Sequence, residues 1–181
     1  IPDDILTEMR EMGLFGITIP EEFGGAGMSI SQYIETVKQI SYAAPAYRST
    51  MSINVGMTGS AIKNFGTTEQ KDFWLPRIAS GEIACFGLTE PGSGSDSAAM
   101  QTMAVRDGNG YKLTGTKRYI TNSPAAKIGL IMARTSKEAL PKNAHVSAFI
   151  VDMTSPGISI GKSDKKMGQA GAHIADIVME D

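Results

Sequence analysis

The stretch that decides the fold is CFGLTEPGSGSD, residues 85–96. It opens as an apolar, strand-like run, breaks at Pro91, and then consists of nothing but Gly, Ser and Asp. Proline stops ladder pairing and turns the chain away from a sheet. Gly92 and Gly94 leave the backbone bare, so a planar or phosphorylated ligand can approach it closely. Main-chain N–H groups and the hydroxyls of Thr89, Ser93 and Ser95 can donate to carbonyl or phosphate oxygens. On the residues alone, a polar surface loop with Asp96 capping the short SAAM turn is the commoner fate of such a stretch. Familiar phosphate and nucleophile motifs do not fit. Position 97 is Ser97, which leaves a G-x-G-x-x-G fingerprint incomplete; no Lys follows the glycines, and neither serine sits in a G-x-S-x-G elbow.

Working upstream, the pattern is helical. PDDILTEMREMGLFG carries Asp3 or Asp4 as N-cap, Ile5, Met9 and Met12 as an apolar face, and Gly13 or Gly16 as a stop. Ser29 or Ser31 opens a second helix through Tyr33, Ile34, Val37 and Ile40, which ends near Pro45. YRSTMSINVGMTGSAIKNFG reads as a third. Thr67 opens a fourth, with an interruption expected at Pro76. From Glu82 onward the period changes to short β-rich runs separated by Gly, Asn, Asp and Pro, with RDGNGY as a hairpin turn. Helices first and strands afterwards argue against a doubly wound sheet. The reading is α+β: an all-α N-terminal domain, residues 1–82, joined to an antiparallel β-barrel or sandwich, residues 83–181.

Composition bounds the partners. Of 181 residues, 41% are hydrophobic and 20% charged, with a net charge of -2, so nothing points to nucleic acid or to an anionic membrane surface. One cysteine, Cys85, excludes an internal disulfide framework and, with only 2 His, argues against a zinc site. No apolar run approaches the roughly 20 residues that span a bilayer. The chain starts IPDD without Met and stops on VMED, which reads as a piece of something longer.

FGLTEPGSGSD followed by GTKRYITN resembles the acyl-CoA dehydrogenase family, whose middle domain carries T-E-P-x-x-G-S-D and then G-x-K-x-W-I-T-N. IPEEFGGAG upstream and FIVDMTSPGISIGK downstream are similar to that family in the same order, so the likeness spans essentially the whole chain. It implies FAD as cofactor, with Phe86, Leu88, Thr89, Gly94 and Ser95 contacting the flavin or its phosphates and Thr89 near the redox-active ring edge. It implies that Tyr119, Ile120 and Thr121 cover another part of the flavin; Tyr119 stands where the family most often has Trp. Ser95 is implied to lie beside the pantetheine channel as well.

YRSTMS, residues 47–52, places Arg48 and Ser52 four apart on a helix and so on one face, a combination that suits a carboxylate. Taken with CFGLTEP and GTKRYITNSP, it is most similar to the glutaryl-CoA dehydrogenase branch, which implies that Arg48 and Ser52 hold the distal carboxylate of the substrate. Asn143 is implied to sit near the CoA adenine. MGQAGAHIAD departs, with Ala170, Ala172 and Ile174 where relatives often show Arg, Ser and Thr; His173 reads as a surface residue. The resemblance implies oxidation of the α–β bond of an acyl-CoA, electron transfer to an electron-transfer flavoprotein, and a homotetramer. It also implies a general-base Glu from a C-terminal helical domain that this chain lacks, so no catalytic residue is expected here and the chain alone is expected to be inactive and to bind FAD poorly. Bacterial cytoplasm and mitochondrial matrix both fit. The alternatives are an acyl-CoA oxidase or desulfinase on the same scaffold, and a non-catalytic α+β binding module.

Overall fold

Ser29 and Thr67 open the two longest helices by the same chemistry. Each side chain accepts the main-chain N–H three residues on, from Gln32 and Gln70, and each of those glutamines reaches back to the cap N–H. Such a reciprocal pair satisfies two of the donors that a helix start leaves open. The computed structural model describes residues 1–138 and 145–180 and places helix α1 at Asp3–Glu11, α2 at Ile30–Ala43, α3 at Pro45–Met51, α4 at Ser60–Phe65 and α5 at Thr68–Ala79. Pro2, rather than Asp3 or Asp4, occupies the cap of α1, and both carboxylates sit in its first turn, where the helix dipole favours them. Gly13, at φ 70°, is the stop. The interruption expected at Pro76 is not observed. Pro76 lies in the last turn, and both it and Asp72, one turn earlier, are on the solvent side, so the carbonyl that loses its partner is on the exposed face while Leu75 and Ile78 anchor the helix inward.

Between α3 and α4 the chain does not leave helical form but widens into a π-helix, Ser52–Gly59. This widened turn aims polar groups at the sheet. Asn54, fully buried, donates to Glu82 O at 2.8 Å and accepts from Ala84 N–H at 2.5 Å. Thr58 donates to Cys85 O at 3.1 Å.

The strands are β1 Ala84–Gly87, β2 Met103–Asp107, β3 Gly110–Thr121, β4 Ile128–Arg134, β5 Val146–Asp152, β6 Ile158–Ile160 and β7 Ile174–Met179. They form one curled sheet in the order β1-β4-β2-β3-β7-β6, with β5 along β4. The α+β reading holds, with one revision to the strand directions. β1 lies parallel to β4, from Ala84↔Ile128 to Gly87↔Ile131, and β2 touches β4 in parallel at Met103↔Arg134; the other pairings are antiparallel. The sheet is therefore mixed, with the β2–β3 hairpin coming between β1 and its partner β4 in sequence but beyond β4 in the sheet.

Helices and sheet share a core. Ile19, Ile62, Leu75 and Ile78 from the helical part pack with Ala84 and Ile128 from β1 and β4. Cys85 points the other way, into a cluster with Ile120, Ile131, Ile177 and Met179. Burial pushes the Cys85 thiol up to about 12. At mildly alkaline pH, iodoacetamide is therefore expected to label the folded protein at least about a hundredfold more slowly than the unfolded chain, and equal rates would show that this core is open.

Candidate functional site

The strand-end loop is built on a tight turn. Glu90 and Ser93 exchange main-chain bonds of 2.9 and 3.2 Å across Pro91 and Gly92. Ser93 is buried and its hydroxyl donates to Asp96 O at 2.7 Å, so it is not the outward donor expected of it. Asp96 makes no side-chain cap to the turn at Ser97–Ala99. Gly92, Gly94 and Ser95 face outward, and a Cβ added at Gly92 or Gly94 would meet nothing within 4 Å. Neither glycine has a left-handed φ, so the fold itself does not require glycine at either position. The N–H groups of Gly94 and Ser95 have no partner among the described residues. A bare backbone with unused donors fits a phosphate-bearing cofactor lying against it.

Thr89, half-buried, accepts from Arg118 N–H at 2.8 Å, which places the loop beside Tyr119. Tyr119 sits at a bulge in the β3–β7 pairing with φ 61°, a conformation rare for an aromatic residue. Its N–H donates to Asp176 Oδ1 at 3.3 Å, and its ring, 57% exposed, lies 4.9 Å from the Arg118 guanidinium carbon. Phe86 and Leu88 are half-buried around β1. Ile120 is buried with its side chain in the sheet core, so a flavin contact of the kind the resemblance implies there falls to its main chain.

A cavity of about 670 Å³ is lined by Arg48, Ser52, Tyr119, Thr121, Lys166 and Gln169, with Ser49, Ile53, Met57, Gly168 and Ile174 completing its walls. The structure thus brings the YRSTMS pair and the YIT segment into one cavity. Phe86, Leu88, Thr89, Gly94 and Ser95 are not part of its lining. Asn143 lies outside the described residues. Arg48 is half-buried, and its side chain has no hydrogen-bond or ion-pair partner among them. Ser52 opens the π-helix and accepts from Tyr33 OH at 2.9 Å, which leaves its own proton to donate. Among the described residues the lining holds two cations, Arg48 and Lys166, and no carboxylate. Lys166, which donates to Ala172 O, and Gln169, which accepts from Ser49 Oγ at 2.8 Å, were not singled out in the sequence.

Asn122, φ 71°, also escaped the sequence reading. Its amide donates to Thr50 O at 3.2 Å and to Ala84 O at 3.0 Å, tying α3 to β1. Glu90 and Lys117 form a buried pair at 2.7 Å. Burial works to raise the pKa of Glu90, but hydrogen bonds from the Gln101 amide, Lys117 and Thr102 hold it below the usual carboxylate range. Glu90 is thereby committed and is not a free base.

A helical layer clamped to a half-barrel, with a glycine-rich strand end beside an anion-receptive cavity, defines a ligand-binding α+β scaffold. The chain belongs to the acyl-CoA dehydrogenase family: residues 1–82 match the family's N-terminal domain and residues 85–181 its middle domain. It is 35% identical to an acyl-CoA dehydrogenase of Bacillus subtilis over 99% of this chain and 47% of that protein. A chain solved in work on the electron transferring flavoprotein of Acidaminococcus fermentans superposes with a TM-score of 0.93 at 38% identity, covering 99% of this chain and 47% of that one. Glutaryl-CoA dehydrogenase from Mycobacterium smegmatis, solved in complex with FADH2, gives 0.89 at 30% identity, covering 100% and 45%. The chain spans about half the length of these relatives, and the family is FAD-dependent. Among the described residues no helix is long and apolar enough to cross a membrane.

Proposed function

We propose that the protein is an FAD-dependent acyl-CoA dehydrogenase acting on a glutaryl-type thioester, an acyl-CoA that ends in a second carboxylate. The observation that carries this reading is Arg48: a half-buried guanidinium without a partner among the described residues, facing a cavity that contains Ser52 and no acid. An unpaired, partly desolvated cation is costly unless an anion arrives to pair with it. The fork of Arg48 and the proton of Ser52 suit a carboxylate, with Lys166 adding positive potential. Tyr119 and Thr121, which line the same cavity, with Thr89 and the amides of Gly94 and Ser95 on the strand-end loop, would hold the flavin. Bound there, FAD supplies the acceptor for the hydride that leaves the β-carbon. The half-barrel wall and the π-helix orient the acyl chain between these two groups. The α-proton goes to a base outside this cavity, since among the described residues its lining offers none and Glu90 is locked to Lys117. Transfer of electrons onward to an electron-transfer flavoprotein belongs to the same reading.

The test uses the FAD-loaded protein made from its whole gene, without oxygen. Glutaryl-CoA is expected to bleach the visible flavin band at lower concentration and faster than butyryl-CoA. Equal response to both, or a preference for butyryl-CoA, would remove the dicarboxylate assignment and leave a short-chain enzyme. No bleaching by any acyl-CoA would favour a non-catalytic scaffold.

A further inference from the structure

We propose that the buried Glu90–Lys117 pair is a positioning device that holds residues 89–102 in the shape that receives the cofactor. The inference rests on the reading of this loop as a flavin site.

The bonds of the pair run to the two ends of the loop. Lys117 Nζ donates to Glu90 Oε1 at 2.7 Å and to Leu88 O at 3.2 Å, just before Thr89. Glu90 Oε2 accepts from Gln101 N–H at 2.5 Å, while Oε1 accepts from Thr102 N–H at 3.0 Å and from Thr102 Oγ1 at 2.5 Å. One ion pair therefore fixes where the loop leaves β1 and where it returns to β2. The segment between carries the bare glycines and the unused amides.

Two glycines, one on β1 and one on β3, make room for this arrangement. A Cβ on Gly87 would fall 2.7 Å from Ile131 Cδ1 and 3.3 Å from Lys117 Cγ. A Cβ on Gly115 would fall 2.6 Å from Thr102 Oγ1 and 2.8 Å from Thr102 Cα. Lys117 is 0% and Glu90 6% exposed, so the pair is shielded from screening by salt. Buried ion pairs of this kind are often replaceable by apolar groups without loss of stability, and fixing one geometry among several is the use they serve best. Here that geometry is a loop with both ends pinned and its donors aimed outward, so less ordering remains to be done when a cofactor binds.

The experiment compares the holoprotein with the double variant E90Q/K117M, which removes both charges at nearly constant volume. The double variant is expected to unfold within a few degrees of the parent. It is expected to bind FAD about tenfold more weakly by fluorescence titration, with a displaced visible flavin band and an altered flavin reduction potential. Amide exchange at Gln101 and Thr102 should quicken in the FAD-free protein. Parental affinity, band position and potential in a folded double variant would overturn the proposal. If that variant does not fold, Thr102→Val serves instead. It removes one donor to Glu90 and is expected to weaken FAD about threefold, and unchanged affinity there would also overturn the proposal. A parent protein that binds no FAD would instead sink the flavin reading itself, and this inference with it.

Discussion

Replacing Arg48 by Met is expected to lower the ratio of kcat/KM for glutaryl-CoA to that for butyryl-CoA by roughly 10- to 150-fold. The range follows from the worth of a hydrogen bond to a charged group, about 1.5–3 kcal/mol, expressed as a rate ratio. The change is read as a ratio because Met keeps most of the apolar stem that packs in the cavity wall. What it removes is the guanidinium fork, which butyryl-CoA, ending in a methyl group, cannot use. Arg48→Lys is expected to lose less, since the charge stays and only the planar fork goes. Ser52→Ala should fall below Arg48→Met in effect: its hydroxyl is one neutral donor, and Tyr33 is left to find water. Steady-state kinetics with both substrates checks all three. An unchanged ratio in Arg48→Met would mean that the cation meets solvent or a phosphate of CoA rather than the far end of the acyl chain.

How far this site could be read before the structure varies residue by residue. Arg48 and Ser52 were legible because a spacing of four on a helix puts two side chains on one face, and the cavity contains both. The widening to a π-helix from Ser52 onward was not legible, since SINVGMTG has the composition of an ordinary helix with small residues. Its consequence, the turning of Asn54 and Thr58 onto β1, was hidden with it. The strand-end loop showed its glycines in sequence. The inward turn of Ser93 depends on which way a two-residue turn rolls, and composition does not say. The parallel pairing of β1 with β4 is not legible in the sequence, because strand-rich runs with short links read the same whether or not a hairpin comes between them. Ile120 sits one residue from Tyr119 in a run of strand residues, yet the bulge at Tyr119 sends it into the core. Lys117 stood in plain sight inside GTKRYITN. Nothing local marks a lysine as buried; its partner is 27 residues away.

That distance in sequence leads to the largest expected effect on stability. Lys117→Met alone is expected to destabilise the protein by about 3–5 kcal/mol at neutral pH, the usual result of leaving one member of a buried pair without its counter-charge. The same substitution together with Glu90→Gln is expected to return to within about 1–2 kcal/mol of the parent, because no charge then remains buried. The coupling has a pH signature whose sign can be worked out. In the parent, the Glu90 carboxyl is held below its usual range, so its stabilising contribution is present at neutral pH and is lost as the pH falls through that lowered value. In Lys117→Met the ammonium and its hydrogen bond are gone while burial stays, so the folded-state pKa of Glu90 moves up from its position in the parent. A group raised in this way binds a proton more readily when folded than it does in the parent, so acidification relieves the penalty. Denaturant unfolding of parent and single variant should therefore show a gap that is widest near neutrality and narrows towards pH values around or below 5. The double variant should show little change of its own across that window. A constant gap at all pH values would mean that Lys117→Met acts through lost packing of the lysine stem against Gly87 rather than through the stranded carboxylate. The ion pair would then be incidental to the fold it sits in.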